Sequence, residues 1–239
     1  MRVLALETTA RTASSVALVV DGRVVREQPG IEAQSQAERF PADITAVLHD
    51  AGLAVADIDV VAVASGPGSF TGIRIGIATA QGLALVGQKP VAAISALRAL
   101  AEQAAAGRPV GTRVGAWMDA YRRDVFTALY DVATTATDTA PASLTEVEGP
   151  SVGAPAEVAA RWAHLGSPSA IAGDGAVRYR ELIASVIDVV PHGHLAGALG
   201  RIAGPMHAAG ATVPPAGVQP LYVRRPDVEV ARDLARQTS

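Results

Sequence analysis

The apolar positions change period along the chain, and the changes mark the elements. Runs at 3–6 and 16–20 are apolar and short enough for buried strands, and Asp21-Gly22 after the second is a hairpin turn. Residues 23–27 alternate and predict a third strand. From 35 to 51 the spacing turns helical, with Phe40, Ile44, Val47, Leu48 and Ala51 recurring on one face. Pro41 is tolerated in the first turns of that helix and Gly52 ends it. A strand at 60–64, a glycine turn, a helix reaching 86, a strand at 90–94 and a helix from Ser95 to 106 complete an α/β lobe.

The second half starts again with a strand at 110–117, a charged turn over 118–125 and a strand at 126–130. Residues 131–143 repeat Ala, Thr and Asp and read as a surface loop. A helix at 155–162, strands at 170–172 and 186–190, and a turn at Gly173-Asp174-Gly175 follow. A helix at 193–209 is apolar at Leu195, Leu199, Ile202 and Met206 and bends at Pro205. Pro214-Pro215 opens a tail, extended over 221–225, with a helical turn or two over 228–236. The expected units are a lobe at 1–107, a lobe at 108–213 whose helix 193–209 is free to pack back on the first, and a tail at 214–239. Two lobes that each begin with a strand pair suggest a duplicated fold.

Composition narrows the chemistry. Of 239 residues 49% are hydrophobic but only 4% aromatic, so the cores are built from small side chains packed closely. The net charge of −3 provides no basic field for nucleic acid. The absence of cysteine excludes disulfides, thiolate nucleophiles and cysteine–zinc sites. The N-terminal apolar stretch is too short for a signal peptide, and the other apolar runs are broken by glycine or charge short of a membrane span. A cytoplasmic chain with no membrane partner is expected.

The stretch that organises the first lobe is Gly66-Pro67-Gly68-Ser69-Phe70-Thr71-Gly72-Ile73-Arg74-Ile75-Gly76, between a strand and a helix. That context can aim backbone N–H groups at an anion, with Ser69 or Thr71 capping the helix. It is not a Walker A loop, because no Gly-Lys-Ser/Thr follows and Lys89 is the only lysine, and it does not keep Gly-x-Gly-x-x-Gly spacing. Gly72, Gly76 and Ala80 make a stripe of minimal side chains on one helical face.

Taken whole, the string resembles the signature of the TsaB (YeaZ) family. Gln36-Ala37-Glu38-Arg39-Phe40-Pro41, Asp119-Ala120-Tyr121-Arg122, Gly173-Asp174-Gly175 and Pro220-Leu221-Tyr222-Val223-Arg224 fit the same family in order. Gln36, Glu7 and Tyr121 depart from it, where histidine, aspartate and arginine are usual. The resemblance implies a duplicated, two-lobed actin/hexokinase-like (ASKHA) ATPase fold. It implies a non-catalytic partner of TsaD, the transferase that places threonylcarbamoyl on the tRNA adenosine beside the anticodon. TsaE is the companion ATPase and TsaC supplies threonylcarbamoyl-adenylate. No intrinsic cofactor is expected; the resemblance puts ATP or ADP at the interface with TsaD or leaves it on this subunit, and has tRNA met only through the complex. Glu7, Thr8 and Thr9 fall where that fold carries an acidic residue and hydroxyls facing phosphate and metal.

The resemblance also implies that helices 35–51 and 70–86 join the equivalent pair of TsaD, or of a second copy, in a four-helix bundle. Phe40, Ile44, Ile73, Ile77 and Gln81 are the candidate contacts, and Gly66, Gly68, Ser69, Thr71 and Gly72 the glycine signature beside them. TsaD's metal-binding His-x-x-x-His pair has no counterpart, since the region reads Ile94-Ser95-Ala96-Leu97-Arg98-Ala99-Leu100. His192-Gly193-His194 is the nearest thing to a metal site and reads as a loop. No catalytic residue, metal site or protease nucleophile is expected. The competing class is an independent ATP-dependent kinase or hydrolase of the same fold, using Asp119 or Asp174.

Overall fold

The computed structural model describes residues 1–10, 14–30 and 36–224, with only the backbone described at positions 36 and 37. The expected polar link at Arg11-Thr12, the start of the first helix at Ser35 and the turns at 228–236 lie outside these residues.

In the first lobe, strands β1 (Arg2–Glu7), β2 (Ser15–Val20) and β3 (Arg23–Pro29) form an antiparallel meander. Asp21 and Gly22 sit at φ +48° and +78°, the paired left-handed residues that match a tight hairpin to strand twist. Strands β4 (Val60–Gly66) and β5 (Val91–Ser95) add parallel to β1, giving the order β3-β2-β1-β4-β5. The second lobe repeats the plan. Strands β6 (Arg113–Asp119), β7 (Val125–Thr134) and β8 (Ser143–Gly153) run antiparallel, and β9 (Ala170–Ala172) and β10 (Asp188–Val190) add parallel, in the order β10-β9-β6-β7-β8. The duplication is therefore a shared strand order, with a strand triplet rather than a pair opening each lobe.

Sequence patterning does not find the short helix Asp174–Arg178, which it reads as a turn, or strand β8. β7 runs on to Thr134 into the expected loop, and β8 takes up Ser143 and the unassigned residues 144–153. It is an edge strand, half exposed, interrupted by Gly149-Pro150 and shifted in register against β7, so it shows no clean alternation. Strand β6 starts at Arg113 rather than 110 and extends through Asp119.

The helices form three layers with the sheets. Helices α1 (Gln36–Asp50) and α2 (Phe70–Gly87) cover the outer face of the first sheet. Helices α3 (Ala96–Ala105) and α6 (Ala196–Ala208) lie between the sheets, α3 against β6 and β7 and α6 against β1 and β2. Helices α4 (Pro155–Leu165) and α5 (Asp174–Arg178) belong to the second lobe, where Val158, Trp162 and Ala176 join its outer core. Strand periodicity divides the cores: Val3 and Ala5 face the middle layer, Leu4 and Leu6 face α1 and α2. The middle layer is rich in alanine because sheets and helices approach closely there. A Cβ on Gly200 would stand 2.4 Å from Val19 Cγ2 and 3.4 Å from Ala5 Cβ. The bulkiest side chains are placed outside it, as in the Trp117–Trp162 pair at 5.7 Å.

Beyond α6 the chain returns to the first lobe. Val213 bridges Val91, Pro215–Gly217 makes a 3-10 turn, and Val218 is buried in the outer core of the first lobe.

Candidate functional site

The glycine turn is filled by the protein's own chain. Gly66 and Gly68 adopt φ of +123° and +152°, values that disfavour any side chain, around a cis Gly66–Pro67 peptide. Ser69 caps α2, its Oγ accepting from Gly72 N–H at 3.2 Å, while Thr71 is exposed and Ser95 makes no cap bond to α3. Ser69 N–H donates to the Thr9 carbonyl at 2.8 Å. Thr8 Oγ1 donates to the Gly72 carbonyl at 2.7 Å, and a Cβ on Gly76 would meet that same hydroxyl oxygen at 2.2 Å. On the other side a Cβ on Gly66 would lie 2.6 Å from the Leu221 carbonyl oxygen. The glycines thus let three pieces of this chain converge: the loop after β1, the start of α2 and the segment at 221.

Several polar groups near this turn and at the β6–β7 turn bond within the chain, while two buried atoms do not. Glu7 is buried, with Oε1 accepting from Thr9 N–H at 2.6 Å, from the Thr9 hydroxyl and from Ala10 N–H at 3.1 Å. Its Oε2 is buried without a hydrogen bond. Burial pushes this carboxyl up from 4.5 to about 7, against the opposing pull of the Thr9 hydroxyl, two backbone N–H groups and His192. Asp119 and Asp174 come together, but as turn-makers. Asp174 Oδ1 accepts from Asp119 N–H at 2.9 Å and Gly175 N–H at 2.8 Å. Asp119 accepts from Tyr121 N–H at 3.0 Å and pairs with Arg178 at 2.7 Å. His192 Nδ1 lies 3.1 Å from the Gly193 carbonyl, and His194 Nδ1 is buried without a partner. Among the described residues no group of three or more His, Asp or Glu side chains is arranged to hold a metal. Asp119, Asp174 and one oxygen of Glu7 are thus engaged by N–H, hydroxyl and guanidinium groups of this chain.

One open feature is an apolar groove between α1 and α2, lined by Pro41, Ile44, Thr45, Leu48, Thr79, Gly82 and Leu83. Gly82 has open space where its Cβ would stand, and Leu85 and Val86 are exposed at the end of α2. Of the five contact candidates, Phe40 and Ile73 lie deep in the chain's own outer core, at 1% exposure each. Ile44 and Ile77 are also buried there, though Ile44 reaches the groove. Gln81 is half buried and donates from Nε2 to the Pro215 carbonyl at 3.0 Å. An aspartate at Ile77 would accordingly perturb the fold before any surface contact. Helical spacing picked out the inward stripe; Thr45, Thr79, Gly82 and Leu83 belong to the outward one. The available signal was that α2 is apolar nearly all round, so its own sheet uses only half of it. By length and composition α2 could also cross a membrane, contrary to the expectation of broken apolar runs, but here Gly72, Ile73, Gly76, Ile77, Ala80 and Ala84 are buried within the lobe.

Comparison with known proteins places the chain. A family model described as "TsaD: tRNA N6-adenosine threonylcarbamoyltransferase" matches residues 8–165. The tRNA threonylcarbamoyladenosine biosynthesis protein TsaB of Escherichia coli (strain K12) is 40% identical over 130 residues, 54% of this chain and 55% of that protein. The chain spans about half the length of the curated relatives it matches. The solved structure of YeaZ from Pseudomonas aeruginosa superposes with a TM-score of 0.76 at 30% identity, covering 92% of this chain and 99% of that one. A ROK family protein from Streptococcus pneumoniae TIGR4, solved in complex with sucrose, has a TM-score of 0.50 at 10% identity over 88% of this chain and 99% of that one, and shares the fold alone. The two-lobed, duplicated architecture is thus the actin/hexokinase-like fold, and the chain belongs to the TsaB (YeaZ) family within the group that the threonylcarbamoyltransferase model describes.

Proposed function

We propose that this chain is a non-catalytic scaffold subunit for threonylcarbamoyladenosine modification of tRNA, docking a TsaD-type transferase along the α1–α2 groove. The observation that carries the reading is the contrast between the two candidate regions. The ligand-facing loops of the fold are spent on internal contacts, while an apolar groove between two helices is left open. Gly82 and Thr79 let a partner helix approach the backbone, and Leu83, Leu48 and Ile44 supply apolar area. In this reading the same face pairs with a second copy when the transferase is absent. Nucleotide and the ATPase TsaE belong to the assembled interface, and tRNA is held by the complex, because a chain of net charge −3 has little attraction for it alone. The chain then works in the cytoplasm and has no protease activity.

The second reading, an independent ATP-dependent kinase or hydrolase, rests on the fold alone, which a ROK family protein solved in complex with sucrose shares. It needs a free carboxylate, and the ion pair of Asp119 with Arg178 and the two N–H bonds on Asp174 count against it. Mixing the chain with a purified TsaD-type subunit separates the two. The scaffold reading predicts a defined complex on size exclusion and no turnover by this chain; the enzyme reading predicts ATP turnover with no partner.

A further inference from the structure

Residues 221–224 touch both lobes. On the first lobe, Leu221 N–H donates to the Ser65 carbonyl at 2.7 Å. The Tyr222 ring stacks on Phe70 with centroids 5.3 Å apart, and its hydroxyl accepts from Arg74 Nε at 3.2 Å. The Arg74 guanidinium also lies 3.9 Å from the Phe70 ring centroid. On the second lobe, Arg224 Nη1 donates to the Ala120 carbonyl at 2.7 Å, and Nη2 donates to the Asp124 carboxylate. Val223, between them, packs on the middle-layer core. Four residues thus tie the start of α2 to the β6–β7 turn.

The turn they grip is strained. Tyr121, Arg122 and Arg123 sit consecutively at φ of +57°, +54° and +68°, a left-handed run that non-glycine residues avoid. Asp124 N–H closes it onto the Tyr121 carbonyl at 3.0 Å, and Arg224 holds both flanks, Ala120 and Asp124. Tyr222 is 38% exposed, whereas Val218, four residues earlier, is 4% exposed and anchored. Val218 thus anchors the start of a segment that grips a strained turn.

We propose that residues 221–224 are an interlobe latch, hinged beyond Val218, that fixes the angle between the lobes when docked and lets them part when Tyr222 and Arg224 release. The latch is a property of this chain alone and stands or falls apart from the docking reading.

The absence of native cysteine makes the test clean. Ala54→Cys on the first lobe and Ser167→Cys on the second, both at exposed positions, take spin labels for a distance measurement in the full chain. The latched protein gives one narrow distance distribution. Tyr222→Ala with Arg224→Ala should add a longer population and raise amide exchange at Asp124 by roughly tenfold or more, with β1 and β7 amides still protected. Tyr222→Phe, which keeps the stack, should retain the narrow distribution. An unchanged distribution and unchanged Asp124 exchange in the double variant would overturn the latch. So would loss of protection throughout β1 and β7, since the segment would then be part of the folding core; Arg224→Gln alone repeats the reading with a milder change.

Discussion

Gly68 and Thr9 occupy the space of a single residue: a Cβ on Gly68 would fall 2.6 Å from both Cβ and the carbonyl oxygen of Thr9. Gly68 also has φ of +152°. Gly68→Ala should therefore lose ~3 kcal/mol of stability, from backbone strain and forced separation of α2 from the loop after β1. Gly82 is the control. It is helical, exposed and free of neighbours, so Gly82→Ala should gain ~1 kcal/mol. Urea unfolding of both variants checks the pair; equal effects would show that the turn glycine is not a close-approach point.

The buried carboxyl of Glu7 makes stability depend on pH in an unusual direction. Its folded pKa of about 7 lies above the ordinary 4.5, chiefly through burial, so the folded chain binds its proton more tightly than the unfolded chain. The contribution is fully present below pH 4.5 and is lost as pH rises through about 7, a difference of ~3 kcal/mol at full extent. Glu7→Gln cannot ionise and should remove this part of the slope. Unfolding free energy measured from pH 5 to 8 should fall less for the variant than for the parent, and parallel curves would contradict the assignment.

Calorimetry of the isolated chain with ATP and magnesium addresses the competing function. With Thr8 bonded to Gly72 and Thr9 to Glu7, no turnover is expected. Turnover that disappears in Asp119→Asn would establish the enzyme reading instead.

Much of this architecture is legible in the residues. The alternation of Val3, Leu4, Ala5 and Leu6 encodes a strand buried on both faces, and Asp21-Gly22 encodes its hairpin. Strand β8 is illegible because an edge strand half in water, with Gly149-Pro150 inside it, is not selected for strict alternation. The glycine turn is visible at once, but its purpose is not: phosphate and a neighbouring backbone ask the same of Gly66 and Gly68, and only three dimensions bring Thr9 and Leu221 there. The partner face is ambiguous for a related reason. Ile73 and Ile77 on one side of α2, and Gly82, Leu83 and Val86 on the other, are all apolar, and the sheet decides which stripe is spent.

In the proposed function, the outward stripe of α1 and α2 is the docking surface. Gly82→Arg projects a long charged side chain into the open groove without touching the core, so thermal stability should stay at or above that of the parent. Titration of a purified TsaD-type transferase with the parent and the Gly82→Arg chain is the direct measurement. Affinity should be weaker by at least about tenfold for the variant with its fold intact; equal affinity for the two chains would rule out docking along this groove.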